Sequence, residues 1–395
     1  MAPVQGGGSF RWTYALIAVA ALLGVWVWNL RVDYADMWYN QAAAFQPQNL
    51  DEELFKYSRV LNAVITAPRE DYYYLQLGNS LIQLAYGYKV RDPQSDPKNA
   101  PPRPNQSLTD LFQGGTADDR ASNLWENNSA NQMLDYARLV LERARELNPG
   151  NKDHYANLGR LFALWYGMDK DPAKLDQSLR WFAAAHDVAP NDVVILDEWA
   201  TTMASLGPSS YPEVEAKLKQ SEKLDPRYAD TYVKLGDLYR RMGKNDLAAG
   251  QYAEAIKRQG NALESSGQNS LDPAIAAFKN DPAALRHLLD AYRTAVTAKP
   301  KDAQLQSALA RVATALGDRA TMNAAFGQAI TLAPDDINLR QQYTVALSET
   351  QQYDAALQQA QAGLKLAQTQ QSKTDVDRLT QLVATIQRRK AGGGS

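Results

Sequence analysis

Apolar residues along most of this chain fall at helical spacing, in pairs of stripes separated by a glycine or a polar turn. Between Ala229 and Ile256, Leu235, Tyr239 and Met242 make one stripe and Leu247, Tyr252 and Ile256 make a second. That pattern predicts two amphipathic helices joined at Gly243, a residue that tolerates the left-handed backbone of a helix end. Gly236 and Ala248 are small, which predicts a close approach of the two helices. The same landmarks return upstream, where Tyr74, Leu77, Gly78 and Tyr155, Leu158, Gly159 repeat the spacing of Tyr232, Leu235, Gly236. Second helices also end alike, in Ala137, Leu141, Ala144, Pro149 and in Phe182, Ala185, Pro190. Leu309, Gly317, Phe326, Ala329, Pro334 form a further unit. Tyr343, Ala356, Gly363 form a degenerate one, and Trp199, Ala200, Leu218, Pro226 one that is slightly stretched.

The period is fixed by residues that close the second helices. Pro300 and Pro334 stand 34 positions apart, as do Pro226 and Gly260, and Pro334 and Gln368. A Leu-Gly pair, flanking aromatics and small residues at that period resemble the tetratricopeptide repeat, whose units stack into a solenoid used as a recognition surface. The expected fold is therefore all-α, a right-handed TPR-like solenoid over residues 33–372, closed by an amphipathic capping helix over 373–390 and a flexible tail at 391–395. Two regions break the register. Residues 87–128 carry Pro93, Pro97, Pro101, Pro102 and Pro104, which forbid a continuous helix and predict a mobile surface loop inserted between the two helices of one repeat. Gly267 and Pro273 interrupt the expected helix between Gly260 and Asp281, leaving Ala283–Ala298 to complete that repeat.

Ahead of the repeats, Trp12–Leu30 runs 19 residues without a charge, with Trp12, Tyr14, Trp26 and Trp28 near its ends and Arg11 and Arg31 flanking it. At about 1.5 Å per residue this matches the apolar thickness of a bilayer. Apolar on every face and lacking a good cleavage site, it predicts an uncleaved transmembrane helix over 12–30 behind a short tail at 1–11. Basic residues favour the amino terminus on the cytoplasmic side by a thin margin, which would place the solenoid outside the bacterial cell membrane.

Composition narrows the partners. With 42 basic and 44 acidic residues the net charge is −2, and no basic run suits a phosphate backbone, so nucleic acid is not an expected ligand. Without cysteine there is no disulfide, thiolate metal site or cysteine nucleophile. The three histidines, His154, His186 and His287, lack ligand-spaced companions, and neither a Walker loop, a Gly-x-Ser-x-Gly elbow nor a dinucleotide fingerprint occurs. No cofactor, metal or enzymatic activity is expected. Asp225, Asp335 and Asp336, beside prolines, read as turn and helix-start residues. Polar residues expected on the inner face of first helices are Asn79, Asn157, Arg160, Asp197, Asp230, Asp237, Arg240 and Arg241, together with Arg311, and these are the candidate partner-binding groove. Asn79, Asn157 and Arg160 would suit a carboxylate or sugar hydroxyls, although Leu75 stands where a carboxylate clamp needs lysine. Tyr72, Trp165 and Tyr166 are candidate exposed stacking residues.

Three stretches carry a narrower likeness: Trp28–Asp36, Pro68–Gly78 and Asn148–Leu161. Together they resemble the repeat region that follows the last membrane helix of bacterial O-antigen ligase-like and polymerase-like membrane proteins. That resemblance implies a cell-envelope location and an accessory role in surface-polysaccharide assembly. It brings no catalytic residue, because those proteins keep their catalytic loop upstream of the repeats. The expected function is a membrane-anchored, extracytoplasmic scaffold for a protein or glycan partner. Two alternatives stay open at this point: a self-assembling structural subunit, a homo-oligomer forming a surface filament or array, and an accessory part of a split O-antigen ligase or polymerase.

Overall fold

A computed structural model describes residues 8–44, 46–90, 100–265 and 269–392. Pro93, Pro97, Gly267 and the chain ends at 1–7 and 393–395 lie outside the described residues, as do the side chains of Arg11 and Trp28. Among the described residues every regular element is helical.

The chain divides into two compact units, Met1–Ile195 and Leu196–Ser395. The first contains α1 (Gly8–Ala43), α2 (Leu50–Thr66) and α3 (Asp71–Ile82), which rewinds into a π-helical stretch at Gln83–Lys89. A 3-10 turn at Leu108–Phe112 then leads to α4 (Ala117–Asn127), α5 (Ala130–Leu147), α6 (Lys152–Asp169) and α7 (Pro172–Val188). Helix α8 (Val193–Met203) straddles the division. The second unit continues with α9 (Tyr211–Leu224), α10 (Ala229–Arg241), α11 (Asn245–Arg258), the short α12 (Ala262–Ser265) and α13 (Leu271–Ala277), and α14 (Pro282–Ala298). It ends with α15 (Ala303–Leu316), α16 (Arg319–Leu332), α17 (Ile337–Glu349), α18 (Tyr353–Thr369) and α19 (Lys373–Gly392). Neighbouring helices pack in pairs: α1 on α2, α3 on α5 and α6 on α7 in the first unit, then α10 on α11, α15 on α16 and α17 on α18 in the second.

The pairing is set by small residues. A Cβ added at Gly236 would lie 2.5 Å from the Tyr252 ring, and one at Gly78 would lie 2.7 Å from Leu141. Gly243 has φ of 70°, the left-handed conformation expected at the end of α10. The stripe of α11 differs from expectation in one place. Leu247 is half exposed, and fully buried Ala248 occupies the core position instead, because the tight α10–α11 approach leaves no room for a larger side chain there.

A recurring clasp closes the turns between repeats. The hydroxyls of Tyr74, Tyr155 and Tyr232 donate to the carbonyl oxygens of Pro68, Pro149 and Pro226, each six residues earlier, at 3.4, 3.0 and 3.0 Å. Gln306 and Arg340 use the same spacing toward Pro300 and Pro334. Two residues after four of the prolines stands a helix cap: Asn151, Asp192, Asp302 and Asp336 accept the first free amides of α6, α8, α15 and α17.

Two segments depart from the sequence expectation. Helix α1 does not end near Leu30. It continues to Ala43 because neither proline nor glycine interrupts residues 31–43, and its last three turns pack on α2. Ala35 and Ala42, one face apart by seven residues, are fully buried, and the Tyr73 hydroxyl donates to Asp36 at 2.6 Å. The apolar half is different: Trp12, Leu16, Ile17, Leu22 and Leu23 are all more than half exposed. The insertion is the second departure, since residues 100–128 form structure. Helix α4 starts at a capping box on Thr116 and packs on α2, where Arg59 pairs with Asp118 at 2.9 Å. Gln132 Nε2 donates to the Pro101 carbonyl at 3.0 Å, which ties the proline-rich strand to the start of α5.

Candidate functional site

The sequence-predicted groove residues fall into three environments. Asn79 is exposed on α3, Asn157 and Arg160 lie half-buried on α6, and Arg241 is exposed at the end of α10. Asn157 Nδ2 donates to the Asp153 carbonyl at 2.7 Å, which turns its amide along its own helix. Asp230 is half-buried and paired with Lys234 one turn on. The other three predicted residues are internal fittings. Asp197 is completely buried and accepts the Thr231 hydroxyl at 2.7 Å, with Lys234 Nζ 3.9 Å away, so it presents nothing to a ligand surface. Burial pushes its carboxyl up to about 6, against the pull of Lys234 and of the Ser221 and Thr231 hydroxyls. Asp237 accepts the hydroxyls of Tyr252 at 2.7 Å and Ser270 at 2.9 Å, and Arg240 donates to Tyr252 at 3.2 Å. These two side chains hold α10 to α11 and to the start of α13.

Aromatic expectations are corrected in the same way. Trp165 is 4% exposed and donates its indole N–H to Asn131 Oδ1 at 2.8 Å, so it cannot stack on a ligand, whereas Tyr72 is exposed and T-stacks on Tyr39. His154 is fully buried, with Nε2 2.6 Å from Asp71 Oδ2, and joins α6 to the first turn of α3. Among the described residues no group of three or more His, Cys, Asp or Glu side chains is placed to hold a metal ion.

One predicted residue, Asn79, borders an open polar cleft of about 500 Å³ formed by the end of α1, the start of α2, and α3. Gln76, Asn79 and Gln83 line it at spacings of three and four residues, which sets three side-chain amides in a row on one helical face. Lys56 and Ser80 add a cation and a hydroxyl, while Gln46 and Pro47 form the lip. The wall also contains Glu53, 2% exposed, whose Oε1 has no hydrogen-bond partner. Desolvation raises the Glu53 carboxyl above its ordinary range and nearby Lys56 draws it back down. Glu53 could not be singled out from sequence. It sits in an acidic first turn, Asp51-Glu52-Glu53, in which Glu52 caps the helix backbone and only Glu53 faces inward.

The π-helical stretch shapes one end of this wall. At its end Lys89 is turned fully inward, donates to the Trp125 carbonyl, and lies 4.4 Å from the centre of the Trp125 ring. The insertion thereby anchors the element that carries Gln83. In the second unit a smaller cleft of about 310 Å³ is lined by Arg311, Asp272, Gln341, Gln342 and Glu349. There Arg311 is paired with Asp272, and burial lowers its pKa.

No family model matches the chain, and no curated protein matches it. Solved structures do. A tetratricopeptide repeat protein from Parabacteroides merdae is 15% identical over 71% of this chain and 100% of that one, with a TM-score of 0.35. Pseudomonas aeruginosa pilF is 15% identical over 70% and 96%, with a TM-score of 0.34. The TPR2AB domain of yeast Sti1, solved in a pHSP90 complex, is 13% identical over 60% and 98%, with a TM-score of 0.25. The chain is an all-α succession of packed helix pairs whose solved neighbours are tetratricopeptide repeat proteins.

Proposed function

We propose that this protein is a membrane-anchored scaffold of the bacterial cell envelope that binds an extended polypeptide segment in the cleft between α1, α2 and α3. The observation that carries the reading is the cleft wall: three side-chain amides in a row, with the Lys56 cation lining the same cleft. An extended backbone offers alternating N–H donors and C=O acceptors. Amide side chains both donate and accept and Lys56 donates to carbonyls, so the wall matches a main chain more fully than it matches a simple carboxylate. A glycan presents hydroxyls that meet the same groups and is the competing ligand.

Anchoring rests on α1. Among the described residues it is the one helix long and apolar enough to cross a membrane, and none of its apolar window is buried. With the amino terminus cytoplasmic, the cleft stands outside the cell membrane. The reading includes no reaction.

An immobilised array of unstructured decapeptides and a glycan array, probed with the detergent-solubilised full chain, would test it. Binding of peptides that weakens at least tenfold in Asn79→Ala with Gln76→Ala, at unchanged melting temperature, supports the cleft. Peptide binding that these substitutions leave untouched moves the site elsewhere, and binding to glycans alone replaces the ligand class.

A further inference from the structure

The other end of the α1–α2 pair carries a second cleft. Its volume is about 220 Å³, and Arg31, Val32, Thr66, Ala67, Pro68, Arg69 and Glu70 line it. Arg31 is the first charged residue after the apolar stretch, and Arg69 lies in the tight turn between α2 and α3. Because α1 is one unbroken helix and α2 runs back along it, that turn is brought to the level of Arg31. It is a fixed turn: Ala67 N–H donates to Ala63 O at 2.9 Å and Glu70 N–H to Ala67 O at 3.2 Å. Beside the cleft, Ile65 is 42% exposed, an apolar side chain on the same end of α2.

We infer that this cleft holds the phosphate of an anionic phospholipid, so that the α2–α3 turn rests on the bilayer surface. The inference depends on α1 spanning the membrane, as proposed above. Three features then coincide at one depth. Two arginines arriving from separate elements line a single cleft, and guanidinium matches phosphate oxygens in a two-pronged hydrogen-bond geometry. Val32, Ala67 and Pro68 give the cleft an apolar wall suited to the glycerol and upper acyl region. The height is that of the headgroups, because the last apolar residue of the span, Leu30, immediately precedes Arg31. Glu70 is the one acid on the rim and faces the same cleft. A lipid bound here makes a second attachment beside the helix and resists tilting of the first unit.

The full chain, reconstituted in phosphatidylcholine vesicles with and without phosphatidylglycerol, decides the matter by hydrogen exchange of the 65–71 amides. Slower exchange only with phosphatidylglycerol is the expected result. Arg31→Gln and Arg69→Gln should each weaken that preference about fivefold, the scale of one basic residue at an anionic surface. Exposed Arg227→Gln serves as the neutral control. Equal exchange in both vesicles, or arginine variants indistinguishable from the parent, overturns the site. Protection by inorganic phosphate alone in detergent overturns the lipid assignment and leaves a free-anion site. Alkaline carbonate extraction of the same vesicles is read separately. Release of the protein there overturns the spanning helix, and this inference with it, whereas retention with lipid-independent exchange overturns this inference alone.

Discussion

Single side chains here act mainly as fasteners between repeats, and the clearest is the side chain six residues after five of the turn prolines, a tyrosine hydroxyl in three of them. Tyr232→Phe removes the bond to Pro226 O while keeping the ring, and a loss of about 1 kcal/mol in thermal or chemical denaturation is expected. The spacing was visible in the sequence as Tyr74, Tyr155 and Tyr232. Its purpose was not, because Gln306 and Arg340 do the same work with different chemistry. Asp197 gives a test in pH. Its folded-state pKa of about 6 lies above the unfolded value near 3.8, so the folded protein holds more protons between those limits. Stability attributable to this group is therefore greatest below pH 4, falls as pH rises toward 6, and stays low at pH 7. Asp197→Asn removes that decline, raising stability at pH 7 relative to pH 4 by up to about 3 kcal/mol, as denaturant titrations at the two pH values would show. Sequence pattern placed Asp197 in an open groove because a polar residue on a first helix normally faces solvent. The Thr231 hydroxyl and the Lys234 ammonium, which let it stay inside, come from α10, more than thirty positions along the chain.

At the scale of elements, the close approach of helix pairs was legible because only glycine fits it. Gly236→Ala should destabilise by about 1–3 kcal/mol, since its methyl would strike a fully buried ring that has no free space to enter, and melting of the variant measures this. Helix ends were equally legible at Gly243 and Asp336, where backbone conformation and capping dictate residue type. The insertion was not. Pro101, Pro102 and Pro104 correctly exclude a helix where they stand, yet they say nothing about the capped α4 that follows them or about Lys89, whose partner is a backbone carbonyl rather than an acid. The cleft was half legible. Asn79 was named for being polar on a first helix, whereas Glu53 needed the fold to distinguish it from its two acidic neighbours.

For the whole molecule, the informative property is that the apolar helix and the first helix of the folded region are the same helix. A variant lacking residues 1–32 retains Ala35, Asp36, Trp38 and Ala42 against α2 and α3 and should stay helical, soluble without detergent, and cooperative in thermal melting. A variant lacking residues 1–43 loses those contacts, exposes the face of α2 they cover, and should melt at lower temperature or aggregate. Circular dichroism with light scattering distinguishes the two. Their identical behaviour would mean that the second half of α1 adds nothing to the fold.

The unbroken α1 also sets a compass bearing. Residues 31–34 form the short helical bridge between the apolar stretch and the first buried contact at Ala35. A helix advances about 1.5 Å and turns about 100° with each residue. In a spanning α1, removing one residue from this bridge would lower the polar cleft by little more than an atom's width but swing its mouth through more than a quarter circle. Which neighbour in the membrane the cleft faces is thus written in the number of residues between Leu30 and Ala35, independently of what those residues are.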